Sequence, residues 1–193
     1  MSGSDLASAL MPVVEALERL GVRYYVTGSV ASSAHGVARA SLDVDIVAEL
    51  AVADTGPLAD LLDAAYYTPR GQMRDAAAER RSFNLIHLET MFKIDVFVSK
   101  DRPFDREAAG RARAQVIDQS AAAPRINVAS AEDTVLAKLE WFRQGGETSE
   151  RQWWDIVGVL RVNPNADAGY LHRWAAELGV AGLLERALAQ AAD

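Results

Sequence analysis

Two aspartates inside an otherwise apolar strand constrain this chain more than any other feature. Asp43 and Asp45 lie among Leu42, Val44, Ile46 and Val47. Side chains of a strand alternate with period two, so both carboxylates leave the same face. Carboxylates in such a setting are costly unless something compensates them. Upstream, Tyr25-Val26-Thr27-Gly28-Ser29 leads from a β-branched, aromatic run into a small-residue turn, which reads as a strand entering a helix. Backbone N–H groups at such a helix start, with the Ser29 hydroxyl, suit terminal phosphates. Two hard carboxylates side by side suit Mg²⁺, with Mn²⁺ as the alternative. A third, Asp95, sits in the alternating run Phe92-Lys93-Ile94-Asp95-Val96-Phe97-Val98. Three aspartates on two strands beside a phosphate-binding turn point to two-metal phosphoryl or nucleotidyl transfer.

The run Tyr25 to Ala31, followed by His35-Gly36, Arg39 and Asp43-Val44-Asp45-Ile46, resembles the signature of the DNA polymerase β-type nucleotidyltransferase superfamily. It is most similar to the small bacterial members that include abortive-infection and toxin–antitoxin nucleotidyltransferases. The similarity extends roughly from Val22 to Leu160. The spacing from Gly28-Ser29 to Asp43 is slightly longer than the family's commonest form. Lys138 and Asp155 fall where toxin-like members carry a Lys on one helix and an Asp on the next.

The resemblance implies an α/β (α+β) nucleotidyltransferase fold, with a central mixed sheet flanked by helices and a C-terminal helical region. It implies metal-dependent transfer of an NMP from an NTP, ATP among the candidates, to an acceptor hydroxyl, with release of pyrophosphate. Asp43, Asp45 and Asp95 would hold the metal and, with Lys138, form the catalytic set. Gly28, Ser29, Arg39, Lys138 and Asp155 would bind nucleotide. The acceptor stays open between tRNA, a protein side chain and a small molecule, and a cognate antitoxin is a candidate partner.

Composition narrows the alternatives. The chain has 193 residues, half of them hydrophobic, enough for a substantial core. It contains no cysteine, so disulfides and thiolate metal sites are excluded, and its three scattered histidines form no zinc pattern. No signal-peptide pattern occurs and no apolar run reaches the roughly 20 residues of a membrane helix, which predicts a cytoplasmic protein without a membrane partner. A net charge of −7 argues against non-specific DNA binding.

Hydrophobic periodicity from Leu6 to Leu20 predicts a helix closed by Gly21, with Pro12 at a kink or in the first turn. Strands are predicted over Arg23 to Thr27, Leu42 to Ala48 and Arg125 to Val128, and a hairpin over Phe83 to Val98 turning at Glu89-Thr90. Helices are predicted over Val30 to Ala34 and Leu58 to Tyr66, and Arg106 to Gln115 reads as a helix or a surface excursion. Ser130 with Asp133 reads as a capping box opening a helix that Gly145-Gly146 ends. Another helix runs through Trp153 and Trp154 to Asn163-Pro164, and two short ones follow. A boundary near 128 divides a nucleotidyltransferase core, 1–128, from a helical region, 129–193.

Each signal has a plainer competitor. Two aspartates at a strand end are common surface features, and Ser29 reads as an N-cap as well as a phosphate ligand. Lys138 reads also as a solvated helix residue, although in its phosphate role its removal should lower turnover and leave stability nearly intact, and Asp155 reads as a partner of Arg151. Lys93 is read as pointing opposite to its chain neighbours but falling short of the site, His35 as fixing a helix end, and Trp141, Trp153 and Trp154 as packing residues. Arg70, Arg74, Arg80 and Arg81 form the one notable basic cluster. Two rival functions remain: a GT-A-like glycosyltransferase, which also uses Asp-x-Asp, and an inactive nucleotidyltransferase-fold binding module.

Overall fold

The computed structural model describes residues 3–37, 43–116 and 125–192. Leu42 and Arg39 lie outside them. The described strands are β1 (Tyr24–Thr27), β2 (Asp43–Ala48), β3 (Tyr66–Tyr67), β4 (Ser82–His87), β5 (Lys93–Val98), β6 (Arg113–Val116) and β7 (Arg125–Val128). They form one mixed sheet in the order β3-β4-β5-β2-β1-β7-β6. The pairs β2/β5 and β1/β7 are parallel and the others antiparallel.

Alternation along the central strands gives the sheet two different faces. Val26, Val44, Ile46, Leu85, Ile94 and Val96 are buried on one of them. They join a core with helices α1 (Gly3–Arg19), α3 (Val52–Leu62) and α4 (Arg70–Glu79), through Leu10, Leu17, Leu58, Leu62 and Met73. The opposite face carries Thr27, Asp43, Asp45, Lys93 and Asp95 at one end, then Tyr25, Val47 and Phe97. A second apolar cluster forms there, built from α5 (Pro103–Arg111), α6 (Ala131–Gln144), α7 (Glu150–Val162), α8 (Ala168–Glu177) and α9 (Ala181–Ala192). Tyr25 belongs to it and Val47 packs against it.

Several sequence expectations need correction. Pro12 lies well inside α1 and not in its first turn, and the helix runs past it to Arg19. The helix expected over Leu58 to Tyr66 starts earlier, where the Asp54 carboxylate accepts from Ala51 N–H, and it stops at Leu62. Tyr66 instead begins a short strand. Its ring packs on His87 and its hydroxyl donates to Ala9 O at 2.7 Å, so tertiary contacts outweigh local helical periodicity. Arg106 to Gln115 divides into α5 and β6, with Pro103 at the helix start where its missing N–H is no loss. The helix α4 had no sequence expectation; it ends at Arg80 in the left-handed region, φ 52°. The basic cluster is largely neutralised: Arg70 pairs with Asp60 and Asp63, Arg81 with Glu79, and Arg80 with Asp101. Among the described residues no helix is long and apolar enough to cross a membrane.

Candidate active site

A cleft of about 480 Å³ opens between the second sheet face and helices α6 and α7. At one end lie Gly28 and Ser29, the first residues of α2 (Gly28–Ala34), directly after β1. Gly28 has φ +65°, and a Cβ built on it would stand 1.8 Å from Asp45 Oδ2. The glycine thus answers two demands at once, a left-handed backbone and close approach of a carboxylate. Thr27, with extended backbone, holds the N-cap position, so Ser29 is not the cap; it is buried one residue inside the helix. The other end of α2 is tied to the helices. His35 Nε2 lies 2.7 Å from Ala129 O, and His35 O accepts from Asn163 Nδ2 at 3.1 Å. His35 is therefore structural, as expected.

Register brings the three aspartates together. Asp45 pairs with Thr27 on β1 and with Asp95 on β5, and Asp43 pairs with Lys93. Burial pushes the Asp45 carboxyl up to about 6, and the charges of Asp43 and Asp95 push in the same direction, against Lys138 and Lys93. Such a cluster is short of positive charge and fits a cation. Among the described residues, however, no three carboxylate or imidazole groups converge as a metal cage. A side chain takes a cation's place instead: Lys93 Nζ stands 2.7 Å from Asp95 Oδ2. This corrects the expectation that Lys93 falls short of the site. Two residues apart on a strand, Lys93 and Asp95 share a face, and the hydrogen bond to Asp95 is the largest cause raising the lysine's pKa. Asn84, in register with Asp95, donates to its Oδ1 at 2.5 Å when the amide is turned nitrogen-first. Sequence reasoning missed Asn84; its signal was a polar residue between Phe83 and Leu85 on the partner strand.

The helices supply the rest of the cleft. Lys138 on α6 donates to Asp155 Oδ2 on α7 at 3.0 Å, with the two side chains 11% and 7% exposed. Lys138 is therefore not a solvated surface residue, and Asp155 is the partner of Lys138. The capping box is present in modified form: Ser130 Oγ accepts from Asp133 N–H and donates to Asp133 Oδ2. Trp141, one turn beyond Lys138, also lines the cleft. It is 51% exposed, with its ring edge-on to Phe97. Trp153 packs on Phe142 and donates to Gln190 Oε1, in keeping with a packing role, whereas Trp154 is exposed. Arg102, just before α5, binds both Asp105 and Glu140, an ion-pair group that lines the cleft and that no sequence motif announced.

No known family profile matches the chain, and no curated protein matches it. Solved structures do. An antigenic nucleotidyltransferase-like protein from Paracoccidioides brasiliensis superposes with a TM-score of 0.59 at 17% identity, covering 98% of this chain and 94% of that one. The antibiotic-resistance factor ANT(2'')-Ia gives a TM-score of 0.56 at 12% identity, covering 96% of this chain and 97% of that one. The same factor in complex with adenylyl-2''-tobramycin gives 0.56 at 11% identity, over 90% of this chain and 96% of that one. The central mixed sheet, its flanking helices and the helices that close the cleft thus have the architecture of these proteins, and the chain has the nucleotidyltransferase fold.

Proposed function

We propose that the chain is a metal-dependent nucleotidyltransferase that moves an NMP from an NTP to a hydroxyl of a small-molecule acceptor. The observation that carries this reading is the register that sets Asp45 beside both Asp95 and the Gly28-Ser29 turn on one sheet face, where Asp43, Asp45 and the turn line the cleft and Asp95 stands on the neighbouring strand. The shared fold supports it, and the complex of ANT(2'')-Ia with adenylyl-2''-tobramycin supports the small-molecule acceptor. The cleft, about 480 Å³, falls within the range of small-molecule sites, roughly 300–1,000 Å³.

In this reading Gly28 and Ser29 bind the β- and γ-phosphates through backbone N–H groups and the Ser29 hydroxyl. Lys138, fixed by Asp155, balances the charge that grows on the leaving pyrophosphate. Asp43, Asp45 and Asp95 would hold Mg²⁺ or Mn²⁺, which supplies charge neutralisation at the α-phosphate and acidifies the acceptor hydroxyl. The acceptor oxygen bonds to the α-phosphorus, the bond to the β-phosphate oxygen breaks, and Asp95 receives the acceptor's proton. Positioning and charge stabilisation carry the rate.

The ion pair of Lys93 with Asp95 favours a second reading, an inactive fold member that only binds a partner. One experiment separates the two. The protein is incubated with Mg²⁺, cell extract and each NTP labelled at either the α- or the γ-phosphate. The proposed function requires α-label to enter a small-molecule acceptor while γ-label leaves as pyrophosphate. Label passing from the γ-position to the acceptor would indicate phosphoryl transfer, and no acceptor labelled from any NTP beyond the extract alone would favour the binding module.

A further inference from the structure

We propose that Lys93 is the resident counter-ion of the metal site, holding Asp95 until a divalent cation displaces its ammonium, and that it thereby sets the site's metal affinity. The inference rests on the reading of Asp43, Asp45 and Asp95 as metal ligands. Both oxygens of Asp95 have a partner: Oδ2 faces Lys93 Nζ at 2.7 Å, and Oδ1 accepts from the Asn84 amide when that amide is turned nitrogen-first. The register places Lys93 opposite Asp43, so its ammonium serves a site with three neighbouring carboxylates.

Two lysines lie close enough to act on Asp45, and their settings differ. Lys138 and Asp155 are 11% and 7% exposed, so Lys138 is locked. The Lys93 side chain is 43% exposed against 14% for Asp95, so the ammonium lies on the solvent side of its carboxylate. It can withdraw into water without burying a charge, while Asp95 stays with its strand. A divalent cation that engages several of these carboxylates together gains more than one ammonium on a flexible stem. Lys93 is thus a positioning residue: it satisfies Asp95 in the metal-free protein and yields when the metal binds.

The test compares the wild type with Lys93→Met, which keeps the stem and removes the charge, and Lys93→Arg, which keeps the charge. Mn²⁺ is titrated calorimetrically into each without nucleotide, and each is melted in EDTA and in saturating Mn²⁺. A partly exposed ion pair is worth up to about 1 kcal/mol, so Lys93→Met should bind Mn²⁺ about fivefold more tightly. It should also melt lower than wild type in EDTA and regain the difference in Mn²⁺, while Lys93→Arg behaves as wild type. Unchanged or weaker Mn²⁺ binding by Lys93→Met, with wild-type binding intact, overturns the counter-ion role alone. A wild-type protein that binds no Mn²⁺ overturns the metal-site reading with it.

Discussion

At position 28 a side chain would have nowhere to go. A Cβ there would meet Asp45 Oδ2 at 1.8 Å, on a backbone at φ +65° that L-residues other than glycine enter at a cost of about 1–2 kcal/mol. Gly28→Ala should therefore displace the Asp45 carboxylate as well as strain the turn. Both NTP affinity and melting temperature should fall, which calorimetry and a thermal melt on the same sample will check. A variant that melts lower yet binds NTP normally would separate the turn from the site. Lys138 makes a different point. Its partner Asp155 is 5% exposed, so truncation takes the lysine's cation from a buried carboxylate. Breaking such a pair costs about 3 kcal/mol. Lys138→Ala should thus lose stability as well as turnover, contrary to the expectation from sequence that it matters to chemistry more than to folding. An unchanged melt would mean that Asp155 is fully satisfied by its other surroundings.

The elements that were legible in the sequence are those whose burial follows their own period. The strands carrying Asp43, Asp45 and Asp95 alternate apolar and polar residues because one face meets the core and the other the cleft. The hairpin of β4 and β5 and the Ser130 cap were readable for the same local reasons. What was not legible depends on partners distant in sequence. Tyr66 becomes a strand residue through His87 and Ala9, whereas Lys93 shares the face of Asp95 by strand alternation alone, so its place was open to a sequence reading. Trp141 fits the packing stripe of α6 by spacing, yet the helix is set so that the indole stands half exposed in the cleft. That placement gives a prediction. Of the four tryptophans, Trp141 lines the cleft, so NTP with Mg²⁺ should change the protein's tryptophan fluorescence, and Trp141→Phe should abolish most of that change. An undiminished signal in Trp141→Phe would put the nucleotide, or the responding indole, elsewhere.

The molecule as a whole is one sheet with a dry face and a working face. The dry face is closed by α1, α3 and α4. The working face is roofed by the C-terminal helices where it is apolar and left open where it carries aspartates. Because α2 is anchored through His35 to Ala129 and Asn163, the Gly28-Ser29 turn is held in place by the same helices that bring Lys138 and Trp141 over the cleft. In the proposed function this open end binds an NTP through a metal held by the aspartates. Its most direct test is a calorimetric titration of non-hydrolysable analogues of the four NTPs, with Mg²⁺ and with EDTA, into wild type and Asp45→Asn, each also melted without ligand. Wild type should bind at least one analogue with Mg²⁺ and lose at least tenfold in EDTA. Asp45→Asn should lose that affinity even with Mg²⁺, while melting no lower than wild type, because a buried, mutually repelling charge has been removed. Equal affinity in EDTA and Mg²⁺, or undiminished Mg²⁺-dependent binding by Asp45→Asn, would overturn the proposed function.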